Sequence, residues 1–363
     1  MQHTRTPVYR LTTDCVWNSF RTSGKRHLLL TGSRNSGKTT LLLSLFPSPL
    51  PGITTWAEPG KAVYLKENQT GETAQVGRFE EALPGTENRM QPLPQGFLTL
   101  GIAALKRCAE GHSEWVSIDE IGYLESGCPA YCDAIRSLME HKRLIAAVRK
   151  ENLPFLSELR SRADVFQVDL DAPFGTMVCV IMASGLGQRF GGNKLMANFK
   201  GKPLLQWILD ATEGIFARRV VVTRHQAVEA LCQRQEIPVI CHRLPYRSDT
   251  VRLGLQAIMQ DVDGCLFCLG DQPLLRRDTV ASLALSAAQE PDAIWRAAWE
   301  STAGSPVLFP KWAFPELLAL PKGAGGGFVV KKHPERVRFL PVQSSGELLD
   351  VDRPADLERL QRQ

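Results

Sequence analysis

The chain has 363 residues, of which 44% are hydrophobic and 22% charged, and its formal net charge is +5. This length suits two ordinary domains, and the composition is typical of a globular protein. The charge is too small and too dispersed to indicate nucleic-acid binding, and the sequence shows neither a signal-peptide pattern nor a long apolar run. We therefore expect a cytoplasmic protein with no nucleic-acid partner and no membrane association.

The nine cysteines are scattered along the chain. The close pairs, Cys128 with Cys132 and Cys265 with Cys268, lack the partner pair that a zinc site needs. We expect structural free thiols in a reducing compartment.

The first half alternates short apolar runs with amphipathic segments, which predicts a parallel sheet with helices on its faces. The predicted strands are 27–31, 61–65, 114–118, 144–148 and 165–169, and the predicted helices are 38–46 and 96–110.

A complete G-x-x-x-x-G-K-[ST] pattern at 32–39 lies between the first strand and the first helix. In this context the backbone N–H groups cradle a phosphate, Lys38 reaches the β- and γ-phosphates, and the Thr39 hydroxyl ligates Mg²⁺. The predicted nucleotide-binding residues are Gly32, Asn35, Ser36, Gly37, Lys38, Thr39 and Thr40.

Two acidic residues follow the predicted strand 114–118. A carboxylate at the carboxyl end of a parallel strand faces the ligand crevice, so we expect Asp119 to hold magnesium and Glu120 to act as the base or to orient the attacking water. Arg149 follows strand 144–148 and is either a charge-stabilising group or an ordinary surface arginine.

Over residues 25–170 this half resembles the thermophile-type P-loop nucleoside-triphosphatases. The resemblance rests on the loop 32–39, on the run Ile-Asp-Glu-Ile-Gly-Tyr-Leu-Glu at 118–125, and on Val148-Arg149 followed by Leu-Pro-Phe-Leu at 153–156. It implies a three-layer P-loop domain that binds ATP or GTP and hydrolyses it slowly.

A Pro/Gly break at 169–175 separates this pattern from a second one, so we predict domains at 1–172 and 173–363. The strands predicted for the second domain are 177–182, 219–223, 238–241, 264–269 and 306–309.

A second glycine-rich loop, at 183–194, follows the first of these strands. Its glycines let a phosphate approach the backbone N–H groups, and Arg189 and Lys194 offset the charge of a triphosphate and of departing pyrophosphate. Gln188 and Arg189 interrupt the G-x-G-x-x-G pattern, which argues against a dinucleotide fold. The predicted nucleotide-binding residues of this loop are Ala183, Ser184, Gly185, Leu186 and Gly187.

Other candidates follow later strands. Asp271, in the turn after strand 264–269, is expected to bind Mg²⁺ at the α-phosphate. Asp350 or Asp352 completes the metal shell, although Asp352 fits a helix N-cap as well. Ser248 and Thr250 either contact the base or ribose or are N-caps.

Residues 176–360 resemble the molybdenum cofactor nucleotidyltransferases, above all the cytidylyltransferase branch. The matching segments are 183–195, 248–255, 270–273, 304–309 and 350–352. Asn193-Lys194, where the guanylyl branch usually has Asp-Lys, favours CTP over GTP. The chain departs from the family pattern at Ser184, usually Ala or Gly, and at Ala324, where an acid is frequent.

The resemblance implies a Rossmann-like fold of the nucleotide-diphospho-sugar-transferase type with a mainly parallel sheet. It implies transfer of a nucleotidyl group from CTP, or from GTP, to molybdopterin, with Mg²⁺ bound and pyrophosphate released. It also places a pterin pocket at 304–307 and 325–327 and makes a molybdenum hydroxylase apoenzyme a candidate partner.

Two other interpretations stay open at this point. In the first, the acceptor is not molybdopterin but another phosphorylated compound such as a sugar phosphate. In the second, the chain is a non-catalytic chaperone that binds cofactor for a molybdenum hydroxylase. The presence of Asp119, Glu120 and Asp271 argues against a degenerate binder. The fusion itself suggests that the first domain powers delivery, gating or metal handling for the second.

Overall fold

A computed structural model describes residues 10–80 and 89–361. Within these ranges the chain forms two compact units. We call Ser23–Pro173 the N-terminal unit, and the residues up to Thr22 together with those from Phe174 onward the C-terminal unit. The second boundary lies one residue from the predicted one, but the first domain does not extend to the chain start as we expected.

The reason is the first helix, α1 (Thr13–Ser23). It buries Cys15, Val16 and Phe20 in the C-terminal unit, and the Ser19 hydroxyl donates to the carbonyl oxygen of Ser282 at 3.1 Å. Ser282 returns a hydrogen bond from its hydroxyl to the carbonyl oxygen of Cys15 at 3.3 Å. An amphipathic helix stays where its apolar face is covered, so the segment belongs with the distant part of the chain.

The N-terminal unit is built on an eight-stranded sheet whose order is β5-β4-β3-β2-β6-β7-β1-β8. Strands β2, β6, β7, β1 and β8 are parallel, whereas β2 to β5 form an antiparallel meander. The strands are β1 (His27–Thr31), β2 (Gly52–Glu58), β3 (Ala62–Glu67), β4 (Thr73–Glu80), β5 (Arg89–Pro92), β6 (Trp115–Ile121), β7 (Arg143–Val148) and β8 (Val165–Asp169).

Helices cover this sheet and close its hydrophobic core. They are α2 (Lys38–Ser44), α3 (Pro94–Gly96), the π-helical turn Phe97–Gly101, α4 (Ile102–Glu110), α5 (Tyr123–Ser126), α6 (Pro129–His141) and α7 (Pro154–Ser161). The predicted helix 96–110 is therefore observed as a continuous run that begins at Pro94 and contains a π-helical turn.

The sheet of the C-terminal unit has seven strands in the order β13-β12-β9-β14-β16-β15-β17. It is mainly parallel, because only β16 runs antiparallel to its neighbours β14 and β15. The strands are β9 (Met177–Ala183), β12 (Arg218–Thr223), β13 (Val239–Cys241), β14 (Gly264–Leu269), β15 (Ile294–Trp299), β16 (Thr302–Pro310) and β17 (Val337–Pro341), and a separate hairpin pairs β10 (Asn198–Phe199) with β11 (Lys202–Pro203).

The helices of this unit lie on both faces of the sheet, with a core of buried aliphatic and aromatic side chains. Besides α1 they are α8 (Leu204–Thr212), α9 (Gln226–Arg234), α10 (Arg247–Ile258), α11 (Arg277–Gln289), α12 (Phe314–Leu318), α13 (Gly327–Lys332) and α14 (Pro354–Gln361). Single 3₁₀ turns are Lys194–Met196, Lys311–Ala313, Pro334–Arg336 and Ser345–Leu348.

The two sheets confirm the expected α/β class in both halves. In the C-terminal unit β9 and β14 are parallel neighbours, with Leu269 opposite Met182, so the loops that follow them lie side by side. In the part of the chain that the structure describes, no helix is long and apolar enough to cross a bilayer.

Candidate active sites

The backbone conformation of the first glycine-rich loop depends on its glycines. Asn35 and Gly37 have φ angles of 63° and 94°, and a Cβ on Gly32 would lie 2.6 Å from the Ser36 hydroxyl oxygen. Lys38 curls back over the loop, and its Nζ donates to the carbonyl oxygens of Gly32 at 3.0 Å and Ser33 at 2.8 Å. The loop is therefore folded around its own lysine, whose ammonium group is held by two carbonyl oxygens of the loop.

The two predicted magnesium ligands of this unit are in contact. The Thr39 hydroxyl donates to Asp119 Oδ1 at 3.0 Å, and Thr40 is the next, exposed residue of α2. Burial raises the pKa of Asp119, and the Thr39 hydrogen bond partly counteracts it. A hydroxyl and a carboxylate at the end of a strand are the oxygen donors that Mg²⁺ takes beside a nucleotide, so these residues fit the ion.

Glu120 has a left-handed backbone with φ of 86°. This conformation is costly for a residue with a Cβ and is retained mainly where a site requires it. The carboxylate of Glu120 forms an ion pair with Arg149, and the Arg149 guanidinium lies 5.8 Å from the centre of the Tyr123 ring. Glu120 and Arg149, whose roles the sequence left open, thus form an ion pair at the carboxyl edge of the sheet.

An unpredicted contact fixes the start of the loop. The backbone N–H and the hydroxyl of Ser33 donate to the Asp171 carboxylate at 2.8 and 2.9 Å, and Lys150 bridges Asp171 and Asp169 at 2.7 Å each. The hydrogen bond from Lys150 lowers the pKa of Asp171, so it stays ionised as an acceptor. The partners are 138 residues apart in the chain, and no local pattern identifies them.

The second loop brings together the cationic and acidic residues that we predicted. Lys194 Nζ lies 2.6 Å from Asp271 Oδ2 and 2.9 Å from Asp352 Oδ1. Arg189 is more loosely placed, with Nη1 at 3.4 Å from Asp352 Oδ2. A Cβ on Gly187, whose φ is 62°, would lie 2.1 Å from the carbonyl oxygen of Gly192, so this turn closes only with glycine.

Asp350 and Asp352 flank Val351, whose N–H donates to the Asp271 carbonyl oxygen at 3.0 Å. Partial burial and the nearby Asp271 charge raise the pKa of Asp350 to about 6. The hydrogen bond from Lys194 lowers the pKa of Asp352. The pKa of Asp350 therefore lies close to neutral pH, whereas Asp352 is held as a carboxylate.

Among the described residues no three His, Cys, Asp or Glu side chains form a ready-made metal site. In the C-terminal unit the Lys194 ammonium occupies the space between the Asp271 and Asp352 carboxylates. Magnesium is commonly held by one or two carboxylates and completed by water and substrate phosphates, so this pair of oxygen donors fits it.

Ser184 and its neighbours are held by two histidines that sequence reasoning missed. His242 Nε2 lies 2.9 Å from the Ser184 hydroxyl oxygen, and His225 Nε2 donates to the Gly185 carbonyl oxygen at 2.7 Å. Because the Leu244 N–H donates to His242 Nδ1 at 3.2 Å, the proton of neutral His242 is on Nε2 and is donated to Ser184. Ser184 in turn donates to the Val222 carbonyl oxygen at 3.0 Å.

The other predicted nucleotide contacts differ in accessibility. Ala183 ends β9, and the adjoining Leu186 is 55% exposed at the loop surface. Ser248 and Thr250 are buried in the first turn of α10; Thr250 lies 3.4 Å from His242 Nε2, and the Ser248 hydroxyl has no partner among the described residues. Both side chains are buried, unlike that of Leu186.

The segments expected to line a pterin pocket do border one cavity, of about 530 Å³. It is lined by 304–305, Val307 and 324–327, and also by Gln272 and Asp350 from the acidic edge. The cavity therefore begins at the site of the predicted nucleotide chemistry and extends along the sheet.

Two family models match the chain. Residues 179–337 match the MobA-like NTP transferase domain, and residues 59–172 match the NTPase family. The second match begins beyond the loop at 32–39, which is assigned by its pattern and geometry. Residues 59–172 are thus similar to the NTPase family, and residues 179–337 to the MobA-like NTP transferase domain.

Two curated relatives each match about a third of the chain. A probable molybdenum cofactor guanylyltransferase from Bacillus licheniformis is 32% identical over 117 residues, which are 32% of this chain and 58% of that protein. The bifunctional protein GlmU of Thermoanaerobacter pseudethanolicus is 32% identical over 117 residues, which are 30% of this chain and 24% of that protein. The chain thus spans less than two thirds of the length of either relative.

Among solved structures, the protein Rv0371c from Mycobacterium tuberculosis is 24% identical, with a TM-score of 0.48. The match covers 52% of this chain and 99% of that one.

Proposed function

We propose that the C-terminal unit transfers a cytidylyl group from CTP to molybdopterin. Its residues 179–337 match the MobA-like NTP transferase domain. The observation that carries the proposal is the bridge from Lys194 to Asp271 and Asp352, beside a glycine-rich loop and a cavity that shares Asp350. Asn193 beside Lys194 is the sequence basis for CTP over GTP.

The reaction is an in-line displacement. An oxygen of the acceptor phosphate attacks the α-phosphorus of the nucleotide, a new P–O bond forms, and the bond to the β-phosphate oxygen breaks as pyrophosphate leaves. Such a reaction needs positioning and charge stabilisation more than covalent participation.

The chain's own groups supply both. The N–H groups around Gly185 and Gly187 bind the triphosphate, and Lys194 and Arg189 stabilise the charge that develops on the leaving group. Lys194 also holds the Asp271 and Asp352 carboxylates in place before substrate arrives. Magnesium bound by these acids supplies further positive charge at the phosphates when present.

For the N-terminal unit we propose hydrolysis of ATP or GTP. Lys38 would exchange its two carbonyl acceptors for the β- and γ-phosphates, while Thr39 and Asp119 would hold Mg²⁺. Glu120 would position the attacking water once Arg149 leaves it for the γ-phosphate, which the ion pair between them supports.

The setting we propose is maturation of a molybdenum hydroxylase, with its apoenzyme as a partner and with hydrolysis coupled to cofactor handling. Lys38→Ala separates the two activities. We expect it to abolish hydrolysis and to impair activation of the apoenzyme while transfer itself persists. Intact activation with Lys38→Ala would refute the coupling.

The transferase activity is tested by incubating the full chain with Mg²⁺, molybdopterin and each NTP, and by measuring pyrophosphate release and the dinucleotide product. Asp271→Asn should lower kcat by a factor on the order of 10²–10³, the usual effect of losing one preorganised charge contact. Asp292→Asn, an exposed acid elsewhere in the unit, is the matched control. Parent-like kinetics for Asp271→Asn, or no pyrophosphate with any NTP, would refute the proposal. Faster turnover of sugar phosphates than of molybdopterin would instead identify the other acceptor class.

A further inference from the structure

The cavity of about 530 Å³ in the C-terminal unit is strongly unbalanced in charge. Three cationic side chains line it, Arg247, Arg296 and Lys331, but the one acid among its lining residues is Asp350. Arg247 and Lys331 are exposed, whereas Arg296 is half-buried on β15. A cavity with this excess of positive charge attracts anions.

Arg296 is the most buried of the three. Its Nη2 donates to the carbonyl oxygen of Ala303 at 3.1 Å, while its Nε is buried and has no partner. Within the described ranges no carboxylate forms an ion pair with it, and burial lowers the pKa of its guanidinium. Leaving a charged group desolvated and unpaired is costly, so this arrangement indicates a site that a ligand anion completes.

The strand register places Arg296 away from the reacting centre. Arg296 is opposite Val307, and Val307 is opposite Phe267, four residues before Asp271. Two strand spacings of about 4.8 Å and the two residues from Phe267 to Leu269, at about 3.3 Å each, put the Cα atom of Arg296 ~12 Å from the end of β14, which Asp271 follows. That separation exceeds the reach of one arginine side chain, so Arg296 meets a different part of the ligand from the phosphate that attacks.

We propose that Arg296 anchors a second acidic group of the acceptor, remote from its attacking phosphate. The acceptor class is then a compound that carries a second anion besides its attacking phosphate, with the phosphate at Asp271 and Lys194 and the second anion at Arg296. Arg247 and Lys331 strengthen the attraction from the exposed side of the cavity. The inference rests on the proposed function, in which this cavity holds the acceptor.

Two probes of equal length test the inference without any need for turnover. Hexylphosphonate carries an anion at one end, and 6-phosphonohexanoate adds a carboxylate at the other. We expect calorimetric titration of the full chain to show binding of 6-phosphonohexanoate on the order of tenfold tighter than that of hexylphosphonate. Arg296→Gln should remove this preference, and Arg296→Lys, which keeps the charge, should retain part of it.

The matched control is Arg338→Gln, which removes an arginine from the neighbouring strand β17 where it pairs with Glu290 at 3.2 Å. It lowers the net charge by the same amount and should leave the preference unchanged. Equal affinities for the two probes in the parent, no measurable binding of 6-phosphonohexanoate, or a preference that survives Arg296→Gln would overturn the inference.

Pyrophosphate release from NTP and molybdopterin, measured on the same samples, tests the proposed function separately. A probe preference that depends on Arg296, without any transfer, would leave the anion site standing and refute the transferase. Transfer without a probe preference would support the transferase and refute the anion site at Arg296.

Discussion

His242 connects three parts of the C-terminal unit through one imidazole ring. Its Nε2 donates to Ser184 in the phosphate loop, its Nδ1 accepts from the Leu244 N–H, and Thr250 of α10 lies 3.4 Å away. Burial and the charge of Arg224 lower the pKa of His242, against an opposing effect of Asp249. The ring therefore stays neutral at physiological pH, in the tautomer that these contacts require.

If this ring positions the loop, His242→Phe and Ser184→Ala should raise the KM for NTP by a few-fold, with a smaller change in kcat. Because the two side chains act through one hydrogen bond, the double variant should be no worse than the more impaired single variant, with a coupling of about 1 kcal/mol. Steady-state kinetics of all four proteins measures this coupling. Additive effects on KM would show that the two side chains act independently, and would contradict positioning of the loop through their hydrogen bond.

The histidine could not be predicted because its partner Ser184 lies 58 residues away, and nothing local marks the pair. The convergence of Lys194 with Asp271 was predictable, because both follow strands of one parallel sheet and such strands end at the same edge. Contacts between site residues can thus be predicted from the sequence where the topology brings strand ends together. They cannot be predicted where a side chain reaches sideways from another element.

At the scale of elements, the sequence predicts buried parallel strands well. The runs 27–31 and 264–269 are observed with the predicted bounds, because strands buried on both faces are continuously apolar. The strands β2, β4 and β5 were not predicted, since they belong to an antiparallel meander whose outward residues are polar or exposed, as in the exposed end of β2. Strand β15 was not predicted, because Arg296 interrupts its apolar run.

The short helix α5 contains an acid with an unusual environment. Glu125 is 3% exposed, it accepts the Gly122 N–H at 2.8 Å, and burial raises its pKa to about 7. The run 118–125 therefore contains, beside the predicted site acids, a glutamate that caps the turn after β6. Its role in the local structure has a measurable pH dependence.

Since the folded state raises the pKa of Glu125 from 4.5 to about 7, the protonated form favours folding. Its contribution is complete below pH 4.5 and is lost as pH rises through 7, an effect of at most about 3 kcal/mol. Glu125→Gln keeps an acceptor for Gly122 but never ionises. We expect it to be close to the parent at pH 4.5 and to stabilise the N-terminal unit at pH 8, as measured by unit-resolved hydrogen exchange in urea.

Glu158→Gln is the control of opposite sign. Arg136 lowers the pKa of Glu158 through a hydrogen bond, so this carboxylate contributes stability above its ordinary pKa and loses it on acidification. Glu158→Gln should therefore lower the free energy of unfolding more at pH 8 than at acid pH. A Glu125→Gln effect that does not change with pH would contradict the buried, protonated glutamate.

On the scale of the whole molecule, the C-terminal unit is discontinuous in sequence. The chain supplies α1 to this unit, then forms the entire N-terminal unit, and then returns at Phe174. Local patterning predicted the second crossing from the Pro/Gly break at 169–175, but nothing in the first 22 residues indicates which core their helix joins. Contacts such as the hydrogen bonds between α1 and α11 reveal it.

Two phenylalanines of equal burial in different units provide the test. Phe20 of α1 is 1% exposed and Phe166 of β8 is fully buried, and removing either ring should cost about 3–5 kcal/mol. In the full chain, Phe20→Ala should lower the urea midpoint for exchange of amides beyond 174 and leave 27–169 unchanged, whereas Phe166→Ala should do the opposite. The proposed transferase activity should then be lost at a lower temperature in Phe20→Ala, while the proposed NTP hydrolysis persists. Destabilisation of 27–169 by Phe20→Ala would instead assign the first helix to the N-terminal unit.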